Sequence, residues 1–160
     1  MKNNIRSSHG FTLIELVVVI VILAILAVVA ASKFVNFRTD AIVSTMDGME
    51  TAMQSAATLT YSKAAIAGVE KLETTTLNID GVDVDLAYGY PDGTATGIAM
   101  LMNIPEGDWQ QRASTLPITA WVYWHGVIEE DAGKAQCYLR YRQVTSANDR
   151  PIINIETSGC

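Results

Sequence analysis

The chemistry in this sequence centres on one carboxylate, Glu15, near the start of a long apolar run. The 17 residues from 16 to 32 carry no charge. A carboxylate at membrane depth is costly unless a positive group pairs with it. Glu15 is therefore either an unpaired residue whose side chain reaches the membrane surface, or one half of an ion pair within this chain or with a neighbour. The ion pair is the favoured interpretation.

Two cysteines, Cys137 and Cys160, lie late in the chain, downstream of the apolar run. An even count in that context favours one disulfide, formed in an oxidising compartment, over two free buried thiols. Closing a loop of this length stabilises a fold by about 3 kcal/mol in the loop-entropy model. We therefore expect the bond to hold a C-terminal strand in place.

The acidic and histidine side chains elsewhere do not combine into a recognisable catalytic or metal site. Asp80, Asp83 and Asp85 lack the spacing of an EF-hand calcium loop, and alternation along a strand would send the last two to solvent. His9 and His125 have no partner at the spacing of a zinc site or a catalytic triad. The sequence thus predicts neither an enzyme nor a cofactor.

Aromatic residues are concentrated after residue 105, and they include Trp109, Trp121 and Trp124. In a strand, Trp121 and Tyr123 would share one face and Trp124 would lie on the other. Because sugars stack on aromatic rings, a glycan-binding site is one interpretation. The other, which is favoured, is that one face fills the protein core and a neighbouring chain covers part of the second.

The N-terminal segment must position Glu15. Residues 1–10 contain Lys2 and Arg6 and no acid, and positive flanks stay on the cytoplasmic side of a membrane. As a helix, the uncharged stretch covers about 25 Å, the short end for a bilayer core. We expect a single pass through the inner membrane, with residues 1–10 inside and the bulk of the chain outside.

The string GFTLIELVVVIVILAILA, residues 10–27, resembles the leader junction and N-terminal helix of type IV pilins and the related pseudopilins. The run AMQSAATLTYSKAAIAG, the YGYP segment and the late cysteine pair are further similar to the major pilins of mannose-sensitive haemagglutinin (MSHA) pili. The resemblance implies that a prepilin peptidase cuts after Gly10 and methylates the new N-terminal Phe11. A secretory signal cleaved at the small residues 27–31 is the competing interpretation.

The same resemblance implies an assembly role for Phe11 and Glu15. The α-amine of the mature Phe11 is one helical turn from the carboxylate, on the same chain or on a neighbour. Between chains, an ion pair in low dielectric would fix the register of an incoming subunit. The implied partners are further copies in a helical filament, the prepilin peptidase, the assembly machinery of the inner membrane and, through the filament, surface glycans.

Two departures from the family pattern favour an unbroken helix. Many relatives have a helix-breaking proline where this chain has Ser32, and many have a glycine where it has Ala24. Each change favours helix by about 1 to 3 kcal/mol. We therefore expect the helix to continue past the membrane segment.

Beyond the membrane segment, apolar residues recur at helical spacing, which predicts a helix to about Ala67 with Gly68 as its C-cap. The predicted core stripe of this helix comprises Ile42, Met46, Met49, Met53, Ala57 and Ala64.

Period-two patterning then predicts a hairpin over 77–86, turning at Asp80-Gly81. A short helix or apolar loop is expected over 94–103, followed by strands at 118–124, 136–144 and 152–156. The acidic turn 129–133 would join the first two of these strands, and the disulfide would place the third beside the second. The fold class is α+β: a long N-terminal helix with an antiparallel sheet of three to five strands on its second half, as in type IV pilins.

These elements divide the chain into a leader peptide (1–10), a transmembrane and filament-core helix (11–32) and a globular domain (33–160). Within the globular domain we expect the helix continuation (33–67), a hairpin and loop (68–117) and the C-terminal sheet (118–160).

The net charge of −6, with no run of basic residues, excludes nucleic acid as the main partner. The expected function is that of a major subunit of a type IV, MSHA-like pilus for adhesion and biofilm formation. A major pseudopilin of type II secretion is the alternative, against which stand the cysteine pair and the lack of a calcium loop. A membrane-anchored enzyme is the third class. The subunit would reside in the inner membrane before assembly and in an extracellular pilus afterwards.

Overall fold

The computed structural model describes residues 11–104, 107, 109–114, 118–126 and 136–160, with backbone only at 32–36. The elements, in chain order, are helix α1 (Leu13–Ala67), strands β1 (Thr75–Ile79), β2 (Val82–Ala87) and β3 (Tyr90–Pro91), helix α2 (Ile98–Leu101), and strands β4 (Trp109–Ser114), β5 (Ala120–His125), β6 (Tyr138–Arg142) and β7 (Ile152–Glu156). The chain separates into two compact units between Asp40 and Ala41. The α+β class is confirmed.

Helix α1 runs for 55 residues without a break, as the absence of proline and glycine at Ser32 and Ala24 predicts. It ends in a Schellman motif, in which Gly68 adopts a φ of 71°. The Val69 N–H donates to the Ala64 carbonyl at 3.0 Å, and the Gly68 N–H donates to Ala65 at 3.2 Å. These bonds satisfy the last carbonyls of the helix, and the predicted cap is confirmed.

Gly68→Ala should lower the free energy of unfolding by about 1 kcal/mol, because an L side chain is strained at positive φ. An added Cβ meets nothing within 4 Å at this site, so the effect is one of backbone strain alone. Gly48→Ala is the matched control, since Gly48 lies inside α1 with the same open space. That control should raise stability by about 1 kcal/mol. Equal melting temperatures for the two variants would contradict this account.

The second unit, residues 41–160, is built around the outer part of α1. Every residue of the predicted stripe is buried. The four-stranded sheet, in the order β4-β5-β6-β7, covers most of this stripe through Trp121, Tyr123, Leu139 and Tyr141. The three-stranded sheet, in the order β1-β2-β3, covers Ala64 through Ile79, Val84 and Leu86.

The β1-β2 hairpin confirms the predicted turn. Asp80 and Gly81 have φ values of 53° and 92°, as a primed two-residue turn requires. Asp83 is exposed, and Asp85 is half-buried on the same face of the hairpin. The opposite face supplies the apolar residues that pack on α1.

The C-terminal strands β5, β6 and β7 lie within one or two residues of the predicted bounds, but two features differ from expectation. The hairpin pairs with β3 to form a second sheet, whereas one sheet was expected. Strand β4 was not predicted, because four of its six residues are exposed and it therefore lacks an alternating apolar pattern. It pairs with β5 along its whole length. The predicted acidic turn 129–133 lies outside the described residues.

Within 94–103, the helical alternative is confirmed over the four residues of α2. The segment boundaries at 10/11 and 32/33 concern processing and the membrane, and they stay predictions.

Candidate functional site

The first turn of α1 is closed by reciprocal hydrogen bonds between Thr12 and Glu15. The Glu15 N–H donates to the Thr12 hydroxyl at 3.3 Å. The Thr12 N–H and the Thr12 hydroxyl each donate to Glu15 Oε2 at 2.8 Å. This is a capping box, in which Thr12 is the N-cap and Glu15 is the third helical residue. The box fixes where the helix starts and which way the carboxylate points.

The capping box places a negative charge at the N-terminal end of the helix, where the unpaired N–H groups and the helix dipole favour it. The Glu15 carboxylate is thus oriented toward Phe11, the residue at which the described chain begins. The sequence contained the signal for this arrangement, a Thr followed three residues later by Glu before an apolar run. This capping role is additional to the ion pairing that the charge of Glu15 predicts.

An apolar surface follows the capping box directly. The 19 residues Leu13–Ala31 have a mean hydropathy of 3.3, form a helical stretch long and apolar enough to cross a membrane, and are not buried within the chain. The apolar side chains are exposed on all sides of the helix. A helix that is apolar all round needs lipid or other helices against it.

Residues 5–31 match the family model described as the prokaryotic N-terminal methylation motif. The chain is pilin-like or pseudopilin-like. The motif is typical of type IV pilins and pseudopilins, which are processed by a prepilin peptidase, are inserted in a membrane before assembly, and are typically structural subunits rather than enzymes. Comparison with curated proteins and comparison with solved structures each gave no match.

Among the predicted site residues of this pilin-like chain, Gly10 lies outside the described residues. Phe11 and Glu15 lie together at the start of the helix, four residues apart. The cleavage after Gly10 and the methylation of Phe11 stay predictions.

The capping role can be tested by removing the Thr12 hydroxyl. Thr12→Val should weaken the first turn of α1 by about 1 kcal/mol, so amide hydrogen exchange at Glu15 and Leu16, whose N–H groups bond to Thr12, should speed up about fivefold in the detergent-solubilised chain. Thr12→Ser keeps the hydroxyl and should exchange like the wild type. Wild-type exchange in the Val variant would mean that the box does not stabilise the helix start.

The predicted disulfide joins Cys137 to Cys160, with the Cα atoms 4.9 Å apart. It spans the open end of the β6-β7 pair and packs on α1, where Met46 Sδ lies 3.9 Å from Cys137 Sγ and 3.6 Å from Cys160 Sγ. The covalent bond therefore fastens the last strand both to its neighbour and to the buried methionine stripe.

The three tryptophans do not share one surface. Trp121 faces the core and is 8% exposed, and its indole N–H donates to Gln111 at 3.2 Å. Trp124 lies on the opposite face of the sheet and is 6% exposed. Trp109 is half-buried, with its ring 5.3 Å from that of His125. The burial of Trp121 and Trp124 agrees with packing rather than with an open platform for sugars.

Within the described residues, no group of three or more His, Cys, Asp or Glu side chains is placed to hold a metal ion. A groove of about 420 Å³ lies between α1 and the start of β7. Its wall includes Tyr61 and Tyr90, whose rings stack at 4.5 Å. No nucleophile with a neighbouring base lines this groove.

Proposed function

We propose that this pilin-like chain is the major structural subunit of a type IV, MSHA-like pilus, which polymerises through α1 into a surface filament for adhesion and biofilm formation. The observation that carries the proposal is the exposed apolar helix Leu13–Ala31, headed by an oriented carboxylate. Such a helix fits lipid before assembly and a bundle of identical helices afterwards.

The charges around this helix support a defined orientation in the membrane. Lys2 and Arg6 precede it and favour a cytoplasmic N-terminus, with the second unit outside. An external second unit would meet an oxidising environment, which agrees with the Cys137–Cys160 disulfide.

Processing creates the second half of the assembly site. Cleavage after Gly10 releases the α-amine of Phe11, and the capping box points the Glu15 carboxylate toward that end of the helix. In a bundle of helices, the amine of an incoming subunit pairs with the Glu15 carboxylate of a neighbour. The attraction is strong in low dielectric and requires one axial register, so it selects the correct stagger between subunits.

The MSHA type is proposed from the resemblance of the YGYP segment and the late cysteine pair to the major pilins of MSHA pili. The YGYP segment forms a tight turn at Tyr88 and Gly89, whose φ values are 48° and 82°, and it leads into β3. The late cysteine pair forms the disulfide. Sugar-sensitive adhesion is a property of the filament in this proposal, and it is not assigned to the buried Trp121 and Trp124.

Electron microscopy of the native cell surface, with antibodies against the second unit, tests the proposal. Long external filaments labelled along their length are the expected result. Labelling confined to the cell envelope would identify the chain as a pseudopilin of type II secretion, which shares the N-terminal motif. Labelling only at filament tips would make it a minor subunit.

The intact mass of the subunit from sheared filaments tests the processing step. We expect the mass of residues 11–160 plus one methyl group and minus the two hydrogens of the disulfide. The helix must survive cleavage to build the filament, which is why the cut precedes it. A mass that corresponds to cleavage within 27–31 would overturn this prediction.

A further inference from the structure

The outer face of the four-stranded sheet, turned away from α1, carries a concentration of basic residues. Arg112 of β4, Val122 of β5 and Arg140 of β6 lie in one row by strand register. Arg142 follows two residues after Arg140 on β6 and points to the same face. We call this surface the arginine face; its members are Arg112, Arg140, Arg142, Trp124 and Tyr138.

Two of these arginines lie over aromatic rings. The Arg112 guanidinium lies 5.6 Å from the Trp124 ring, and the Arg140 guanidinium lies 4.9 Å from the Tyr138 ring. Stacking of this kind holds a guanidinium flat and leaves its N–H edge directed outward. The arginine face is therefore preorganised to donate hydrogen bonds.

The arginines on this face have no carboxylate partner among the described residues. In the part of the chain that the structure describes, the one ion pair is Lys63–Asp80, so no carboxylate pairs with these arginines. The single acid on these strands, Glu156, accepts instead from the Ser158 N–H and hydroxyl. Unpaired positive charges on an outer face favour an anionic occupant.

The β1-β2 hairpin carries the opposite pattern. Asp83 accepts from the Asn78 amide at 2.6 Å, and Asp85 accepts from the Thr76 hydroxyl at 2.7 Å. These four residues form the acidic hairpin face. The hydroxyls of Thr76 and Thr96 hold the pKa of Asp85 below its usual value, and no basic side chain in the described residues pairs with Asp83 or Asp85. The Asp85 carboxylate therefore stays charged at neutral pH.

The two faces match in spacing as well as in charge. Asp83 and Asp85 are two residues apart on one strand, as are Arg140 and Arg142 on another. Both pairs of side chains are thus separated by about 7 Å along their strands. Two ion pairs can form side by side between such strands.

Charge segregation also explains how acidic copies can assemble, since the net charge is −6 before processing and more negative once the leader with Lys2 and Arg6 is removed. Uniformly spread negative charge would make the copies repel, whereas separate basic and acidic faces give a directional attraction. Contact between two different faces of identical subunits is heterologous, and its repetition produces an open filament when the rotation between copies does not close into a ring.

We propose that the arginine face of one copy binds the acidic hairpin face of a second copy, with Arg142 opposite Asp83 and Arg140 opposite Asp85. This contact rests on the proposed filament function and adds to the helix bundle an ionic contact between the outer units. Every copy carries both faces in equal number, which favours a second copy over a foreign anion as the occupant.

Charge reversal in the full-length chain, expressed in cells that lack the wild-type gene, tests the contact. Arg142→Glu and Asp83→Lys should each lower the yield of sheared filaments about tenfold, because like charges then face each other. The double variant should restore the yield to within about twofold of wild type, because the pair is re-formed with its signs exchanged. Arg150→Glu, the same change of charge beside the groove on the α1 side, is the matched control and should assemble normally.

Processed, protease-resistant subunit in the membrane shows that a variant has folded. If Arg142→Glu does not accumulate, Arg142→Gln takes its place and should lower the salt concentration at which filaments dissociate. Unchanged dissociation would overturn the proposal.

The remaining outcomes of these experiments also test the proposed contact. Wild-type filament yield in both single variants would overturn the contact while leaving the filament function intact, as would low yield in the double variant. Normal filaments from Arg142→Glu that no longer bind dextran sulfate would identify an acidic polysaccharide as the occupant, against our proposal. Absence of filaments from the wild-type chain would overturn the filament function and this contact together.

Discussion

Glu15→Ala and Glu15→Gln should both abolish filament formation while leaving membrane insertion and cleavage after Gly10 intact. In the proposed bundle each Glu15 carboxylate pairs with the Phe11 amine of a neighbour. Removing one partner of a buried ion pair costs about 3 to 5 kcal/mol, which corresponds to a loss of about 100-fold or more in each subunit addition. Lys2 and Arg6, which direct insertion, are unchanged.

The Gln variant separates the charge of Glu15 from its capping role. Its side-chain carbonyl can still accept from the Thr12 N–H, since Gln serves in a capping box as well as Glu does. The variant therefore keeps the helix start and loses only the charge. Immunoblots of membrane and sheared fractions measure processed subunit and filament yield. Wild-type yield from Glu15→Gln would show that capping, and not ion pairing, is the function of this residue.

The N-terminal part of the site was predictable because its signals are local. The unbroken apolar run predicts a membrane-type helix, and Gly10 with Phe11 and Glu15 marks the processing motif. The capping box also has a local signal, Thr12 followed three residues later by Glu15. The Glu15 carboxylate can both cap the helix and form an ion pair, and the sequence prediction covered only the ion pair. The methionine stripe of α1 was predictable for the same reason, since a helix repeats its buried face every three or four residues.

The features that the sequence did not reveal depend on contacts between distant segments. Strand β4 has little buried apolar surface and is held by its ladder to β5, so its own residues carry no strand pattern. The separation of the hairpin into a second sheet depends on the turn at Tyr88 and Gly89, which returns β3 against β2. The packing of the disulfide on Met46 joins residues more than 90 positions apart, and no local pattern encodes it.

Removal of the Cys137–Cys160 disulfide should also have a large effect. Replacing both Cys137 and Cys160 with Ser should lower the free energy of unfolding of the second unit by about 3 kcal/mol, because the unfolded chain regains the freedom of the closed loop. The melting temperature of the detergent-solubilised processed chain should fall by about 10 °C. Strand β7 is then held by its pairing with β6 and by the half-buried Ile153 and Ile155. The membrane should contain processed but protease-sensitive subunit, and few filaments should appear.

Chemical reduction provides the matched control for this variant. Reduced wild-type chain should melt at nearly the temperature of the double Ser variant, and the variant itself should not respond to the reductant. The double substitution is cleaner than Cys160→Ser alone, which leaves Cys137 free to form mixed disulfides. Equal melting temperatures for oxidised and reduced wild type would contradict the stabilising role. A normal yield of filaments from the double variant would show that β7, held by its ladder and by apolar contacts alone, is stable enough for assembly.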